Sequence, residues 1–213
     1  MRTMLFCLMF FASGFVASAD LDAALLDHLT TSQQYDRLLA ELDNPSVDNA
    51  EALTWFRDHA DEWHPPLLFF FSDRLFKQAI KMPSKALVEE QARIYARAKA
   101  AFYIDQKDCN AVTQKLKIWN EGVSLMSLPV EMAMQPYPHA VLAIREEAFS
   151  WATRLSSSRG GVLPPPATWL CGDENILQDS ERGPARLRGF QELAQQILAL
   201  RSKESATNSR LAR

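Results

Sequence analysis

The segment 63–76, WHPPLLFFFSDRLF, places five large apolar residues directly after two prolines. At 100° per residue, its apolar side chains and those just beyond it share one broad face, and the charged ones share the other. The apolar face comprises Leu68, Phe69, Phe71, Leu75, Phe76, Ala79 and Ile80. Proline suits the first turn of a helix and disrupts its interior. The segment therefore predicts an amphipathic core helix that begins at Pro65-Pro66 and ends near Met82-Pro83.

The same three- and four-residue spacing of apolar residues recurs along most of the chain. It predicts helices at 20–30, 32–42, 48–64, 65–82, 84–104, 110–126, 139–155 and 184–201. Ser32, Asp48 and Ser84 are the expected N-caps of three of them, since short polar side chains accept from free amides there. No segment alternates apolar and polar residues with turn signals, so a sheet is not expected. We predict an all-α single domain of about seven to eight helices, an irregular bundle or a set of helical hairpins.

Two late helices have stripes that we expect to face the core. The stripe of the segment 110–126 is Val112, Leu116, Trp119 and Val123, and that of 184–201 is Leu187, Phe190, Leu193, Ile197 and Leu200. Between the helices, the segment 156–173 carries Gly160-Gly161 and three consecutive prolines and predicts a loop. The final residues, 202–213, hold few large apolar side chains, and we expect them to be disordered.

The N-terminal segment 1–19 has the features of a secretory signal peptide. Arg2 provides a positive charge, an apolar run follows, and Ala17-Ser18-Ala19 is a cleavage motif. The alternative is a membrane anchor, but the apolar run is shorter than the roughly 20 residues that span a bilayer. We therefore expect cleavage before Asp20 and a periplasmic protein.

Two cysteines, Cys109 and Cys171, remain after the segment that contains Cys7 is removed. In an oxidising compartment, two cysteines most often pair. We predict a Cys109–Cys171 disulfide that ties the proline-rich loop to the start of the helix near Asn110. The alternative is two unpaired thiols.

The segment 53–76 resembles one unit of the Sel1/TPR-like repeats. An aromatic pair and a basic residue, Trp55-Phe56-Arg57, precede Ala60, and His64-Pro65 stands at the turn between two helices. Trp63 replaces the turn glycine of the family, and no second copy occurs at a fixed period. The resemblance implies a helical hairpin and a protein-binding role, and it assigns no functional residues.

Motifs of catalysis and cofactor binding are absent from the sequence. It lacks a nucleophile elbow, a zinc-protease motif, a P-loop and a dinucleotide-binding glycine pattern. Asp61 and His64 share a helical face, but two ligands do not close a metal site. Without the first 19 residues the chain has 22 basic and 26 acidic side chains, which disfavours nucleic acid as a partner. We expect no catalytic residue, no cofactor and no metal; the alternative is a hydrolase whose site is assembled in space.

Two aromatic residues stand where polar ones are expected. Phe70 projects onto the polar face of its helix, and Trp169 follows Pro164, Pro165 and Pro166 in a loop. One reading is that both pack against neighbouring segments. The other is that Phe70, Trp169 and the prolines form a rigid partner-binding surface, since hot spots are rich in tryptophan. We favour a stoichiometric inhibitor or immunity protein that neutralises a toxic effector, with a TPR-like adaptor or assembly factor as the alternative.

Overall fold

The computed structural model describes residues 21–44, 47–158 and 166–211, and these form nine α-helices. In chain order the helices are α1 (Ala23–Thr31), α2 (Tyr35–Leu42), α3 (Asn49–His59), α4 (Pro65–Lys81), α5 (Lys85–Asp105), α6 (Gln114–Met134), α7 (Pro138–Ser158), α8 (Thr168–Cys171) and α9 (Asp179–Leu211). Within the described ranges the β-structure is a single antiparallel bridge between Cys109 and Ile176. The predicted all-α class is confirmed. The predicted signal peptide lies outside the described residues.

Side-chain caps begin two of the helices where the sequence predicts them. An Asp48 Oδ1 accepts from the amide of Ala50 at 2.6 Å, and the hydroxyl oxygen of Ser84 accepts from the amide of Leu87 at 3.1 Å. The predicted cap at Ser32 is wrong, because α2 begins only at Tyr35. The Ser32 hydroxyl instead donates to the carbonyl of His28 at 2.8 Å and so helps to end α1.

Helices α4 and α5 form the centre of the bundle, and they pack against each other more extensively than any other pair. The predicted core helix is confirmed, since its side chains Leu68, Phe69, Phe71 and Leu75 are buried. The ring of Phe69 lies 5.8 Å from that of Tyr95 and 5.9 Å from that of Phe102. Burying one large apolar side chain contributes roughly 1.5–3 kcal/mol, so these contacts hold the bundle together. Ile80 differs from the prediction, because it is exposed in the last turn of α4.

Helix α6 is longer at its C-terminal end than the sequence suggests. The segment 110–126 was expected to end before Pro129, but α6 continues through that proline to Met134. A proline inside a helix removes one amide donor, here the one that would reach the carbonyl of Leu125. Leu116 and Val123 are buried as predicted, whereas Val112 precedes the helix and is exposed.

The chain after α7 is more helical than expected. The described part of the predicted loop contains the short helix α8. Helix α9 continues to Leu211, so the predicted disordered tail is helical as far as that residue. Within the described ranges, each helix is either too short or too polar to cross a bilayer.

Candidate functional site

A disulfide joins Cys109 to Cys171, which confirms the predicted pairing. It connects the turn after α5 with the end of α8, 62 residues later. Two backbone hydrogen bonds reinforce this junction. The amide of Asn110 donates to the carbonyl of Asn175 at 2.9 Å, and the amide of Leu177 donates to the backbone carbonyl of Asp108 at 2.8 Å. The disulfide therefore fixes the second half of the chain to the C-terminal end of α5.

A buried cluster of three charged side chains lies beside the disulfide. The guanidinium of Arg186 donates from Nε to Asp108 Oδ1 at 2.7 Å and from Nη2 to Asp108 Oδ2 at 2.6 Å. The same Nη2 lies 3.1 Å from Asp105 Oδ1. The side chains are no more than 3% exposed, so water contributes little to their solvation. Removing one partner is costly in such surroundings, because it leaves an unpaired charge buried.

Two indoles complete the hydrogen bonding of Asp105. Trp63 Nε1 donates to its Oδ1 at 2.9 Å, and Trp169 Nε1 donates to its Oδ2 at 3.2 Å. Burial raises the pKa of Asp105 to about 6, although the charge of Arg186 and the bond from Trp63 oppose the rise. The negative charge of Asp108 adds to the rise, because it disfavours a second negative charge on Asp105.

Trp169 is a core residue, which corrects the prediction that it is exposed. Only 6% of its surface is accessible. Its ring lies 5.1 Å from Trp119, 5.9 Å from Tyr35 and 6.2 Å from Phe102. The indole donor can be buried because Asp105 accepts its hydrogen bond. Trp169 therefore seals α8 against the bundle.

A close approach of α9 to α5 brings Arg186 to the two aspartates. A Cβ at Gly189 would stand 3.0 Å from both Ile104 Cδ1 and Lys107 Cγ. Glycine at this position lets the helices pack closely enough for Arg186 to reach Asp105. The cluster joins α5, α8 and α9 and is closed to substrate, so we assign it a structural role. Its sequence signal was the carboxylate of Asp105 on the apolar stripe of α5, where charged residues are rare.

The other predicted binding residues lie in two different places. Phe70 is half-buried, with its ring 5.7 Å from that of Phe56 and the Arg74 guanidinium 5.2 Å above it, which supports the packing reading. Pro166 is half-buried, and its carbonyl accepts from Gln33 Nε2 at 3.3 Å.

Pro164 and Pro165 lie outside the described residues. Phe70 and Trp169 therefore do not form the single exposed surface that the sequence suggested. A contact of either one with a partner stays a prediction.

Asp61 and His64 bond to different partners and do not converge on a common point. Asp61 Oδ1 accepts from Arg97 at 2.9 Å. His64 Nδ1 lies 2.7 Å from the Tyr35 hydroxyl, and its Nε2 lies 3.3 Å from a Glu62 oxygen. Among residues 21–44, 47–158 and 166–211, no three candidate ligands stand close enough to hold a metal ion.

A cavity of about 480 Å³ lies between α5, α6, α7 and α9. Apolar side chains form most of its wall, among them Tyr95, Val130, Met134, Ile144, Leu193 and Ile197. Its charged groups are Lys99, Glu131 and Arg145. Ligand sites commonly combine an apolar wall with a few polar groups and volumes of roughly 300–1,000 Å³. The cavity therefore has the size and lining of a small-molecule site.

A stripe of exposed apolar side chains follows the outer face of α6. It consists of Ile118, Leu125, Leu128 and Met132, which are 57–69% exposed. At 100° per residue these positions lie opposite the buried residues Leu116 and Val123. We call this set the α6 outer stripe. Sequence reasoning missed it because the helix was expected to end at residue 126, before two of its members.

Comparisons with known proteins provide no relative: no family model, no curated protein and no solved structure matches this chain. The resemblance of the segment 53–76 to Sel1/TPR-like repeats therefore stays a prediction.

Proposed function

We propose that this chain is an exported protein that acts by binding another protein, and that the α6 outer stripe is the binding surface. The observation that carries the proposal is the exposure of Ile118, Leu125, Leu128 and Met132 along one face of a helix. Single exposed apolar residues are ordinary on protein surfaces, whereas a contiguous apolar patch marks an interaction site.

The spacing of the stripe indicates that the partner offers a helix. Ile118, Leu125 and Met132 are seven residues apart, and Leu128 follows Leu125 by three, as in the a and d positions of a heptad. From residue 118 to residue 132 the stripe is about 21 Å long at 1.5 Å per residue. A partner helix of four turns covers that length and buries the four side chains.

One acidic residue in the stripe disfavours self-association. Glu121 occupies the d position between Ile118 and Leu125, and it is exposed with no cation in ion-pairing distance in the described part of the chain. A parallel second copy would place two Glu121 carboxylates against each other. An antiparallel copy, in which d positions face a positions, would place Glu121 against an apolar residue such as Leu125, where a buried carboxylate has no counter-ion.

A different protein whose helix has a lysine or arginine opposite Glu121 can pair with its carboxylate. That ion pair also selects the register of the two helices. The partner that fits is therefore a heterologous amphipathic helix with a basic residue within its apolar seam.

Within the class of binding proteins we propose a stoichiometric inhibitor or immunity protein that neutralises a toxic effector. A preformed helical face held by a disulfide-linked bundle loses little entropy on docking, as a tight blocker requires. An adaptor or assembly factor would use the same face and is distinguished by the identity of its partner.

The test is affinity capture from an envelope extract with the wild-type chain and three variants. We expect the wild type to retain one protein in a one-to-one ratio. Leu125→Glu should lose that protein, because it places a charge at the centre of the stripe. Leu198→Glu is the matched control, since Leu198 is a similarly exposed leucine on α9.

Glu121→Lys should also lose the partner and regain it when the facing basic residue is changed to glutamate. Retention of the same partner by Leu125→Glu, or equal loss with Leu198→Glu, would show that the α6 outer stripe is not the surface. Recovery of only a second copy of the chain would also overturn the proposal.

A further inference from the structure

We propose that the cavity between α5, α6, α7 and α9 binds a small amphipathic monoanion, a medium- to long-chain fatty acid. This site is separate from the α6 outer stripe, so the inference goes beyond the proposed protein binding.

Small residues on α5 make room for the cavity. Ala92, Ala96 and Ala100 are spaced four residues apart and line its floor. The part of α5 that lines the cavity extends from Ala92 to Tyr103, which is about 17 Å at 1.5 Å per residue. A space that extends this far along one helix can hold an extended alkyl chain.

Helix α9 covers the cavity without filling it. The sequence predicts Leu193, Ile197 and Leu200 as core residues, yet each is only half-buried and lines the cavity. Part of the apolar surface of α9 is therefore left for a ligand. Covering apolar surface is favourable in water, which provides the driving force for an alkyl chain to enter.

The charged groups of the lining favour one negative charge on the ligand. Lys99 on α5 and Arg145 on α7 are cations, and Glu131 on α6 is an anion. The polar residue that α9 contributes to the lining, Gln196, is uncharged. Within the described ranges, neither Lys99 nor Arg145 forms an ion pair with a carboxylate, although the charge of Glu131 acts on Lys99 from farther away.

Partial burial, and secondarily the charge of Arg145, lowers the pKa of Lys99, and the charge of Glu131 opposes this shift only in part. A carboxylate between these two cations would relieve their repulsion and make the lining neutral. A neutral ligand would not relieve the repulsion between Lys99 and Arg145.

The test compares binding of laurate with binding of 1-dodecanol, which has the same chain length without the charge. Calorimetric titration of the full chain should give one laurate per molecule, and laurate should raise the melting temperature. We expect 1-dodecanol to bind at least tenfold more weakly. In Lys99→Gln/Arg145→Gln, laurate affinity should fall at least tenfold, while that of 1-dodecanol stays unchanged. Arg154→Gln is the control for loss of an exposed cation on α7 that lies outside the cavity.

Replacing a small side chain in the cavity with a large one provides an independent test. Ala96→Phe should abolish binding of both ligands, whereas Ala143→Phe, on the exposed side of α7, should leave both unchanged. Melting curves show whether each variant folds. Failure of laurate to bind the wild type, equal binding of acid and alcohol, or undiminished binding to folded Ala96→Phe would overturn the inference. None of these results bears on the α6 outer stripe.

Discussion

Arg186 and Asp108 form a two-point ion pair, with N–O distances of 2.7 and 2.6 Å, in which neither side chain is more than 2% exposed. Arg186 is in α9 and Asp108 follows α5, 78 positions earlier. The pair therefore joins distant parts of the chain at a point where water cannot take the place of either partner. Its removal should be costly, because the remaining charges stay buried.

Arg186→Met should destabilise the protein by about 3–5 kcal/mol, since Asp105 and Asp108 then lose their shared cation. Urea denaturation monitored by circular dichroism measures the change. Arg201→Met removes an exposed pair with Glu146 and should cost less than about 1 kcal/mol. Equal losses of unfolding free energy in the two variants would show that the buried cluster stabilises the fold no more than an exposed ion pair does.

The raised pKa of Asp105 predicts a dependence of stability on pH. Between its ordinary value of 3.8 and about 6, Asp105 binds a proton more tightly in the folded chain than in the unfolded chain. Its contribution to stability is therefore fully present below about pH 3.8 and is lost as the pH rises through about 6. The groups around it are Arg186, Asp108 and the indoles of Trp63 and Trp169.

Asp105→Asn should remove that dependence. The variant loses a hydrogen-bond acceptor and should be less stable than the wild type, but the difference should shrink on going from pH 4 to pH 7. The expected change is on the order of 2 kcal/mol, since one pKa unit corresponds to about 1.4 kcal/mol. Asp58→Asn, on the exposed side of α3, should show no such trend. A difference that grows with pH would contradict the assignment.

Trp169→Ala should lower the free energy of unfolding by about 3–5 kcal/mol, as expected for removal of a buried tryptophan. Trp169→Phe should recover part of this loss, because it restores apolar volume without the donor to Asp105. Phe70→Ala should cost less than Trp169→Ala, since Phe70 is only half-buried. Thermal denaturation of the three variants provides the comparison. A Trp169→Ala variant as stable as the wild type would contradict the assignment of Trp169 to the core.

Reduction of the Cys109–Cys171 disulfide should destabilise the protein by about 4 kcal/mol, the loop-entropy value for a closure of this length. The melting temperature should fall by roughly 8–16 °C. Cys109→Ser/Cys171→Ser should melt like the reduced wild type and should not respond to reductant. An oxidised wild type that melts with the double variant would contradict the prediction.

Local patterns in the sequence were sufficient for much of the fold. The helix from Pro65 and the cap at Asp48 depend on neighbouring residues, so spacing and capping rules predict them. The disulfide was predicted from the expected oxidising compartment and from the two cysteines that remain after the signal peptide. Trp169 was misjudged because its burial depends on Asp105, 64 positions away, which accepts the indole hydrogen bond.

Two features that now carry the proposals depended on tertiary context. The α6 outer stripe needed a helix that continues through Pro129, and neighbouring packing overrides the local preference of proline to end a helix there. The cavity forms only where four helices pack around the alanines of α5. Neither the continuation nor the packing is encoded within a single segment.

Site-specific photo-cross-linking tests the central proposal most directly. A benzophenone side chain would replace Leu125 on the α6 outer stripe in one variant and the similarly exposed Leu198 on α9 in another. After irradiation in the cell envelope, we predict an adduct of the chain with one other protein from position 125 and none from position 198. An adduct from position 198 alone, or the absence of any adduct from position 125, would contradict the account.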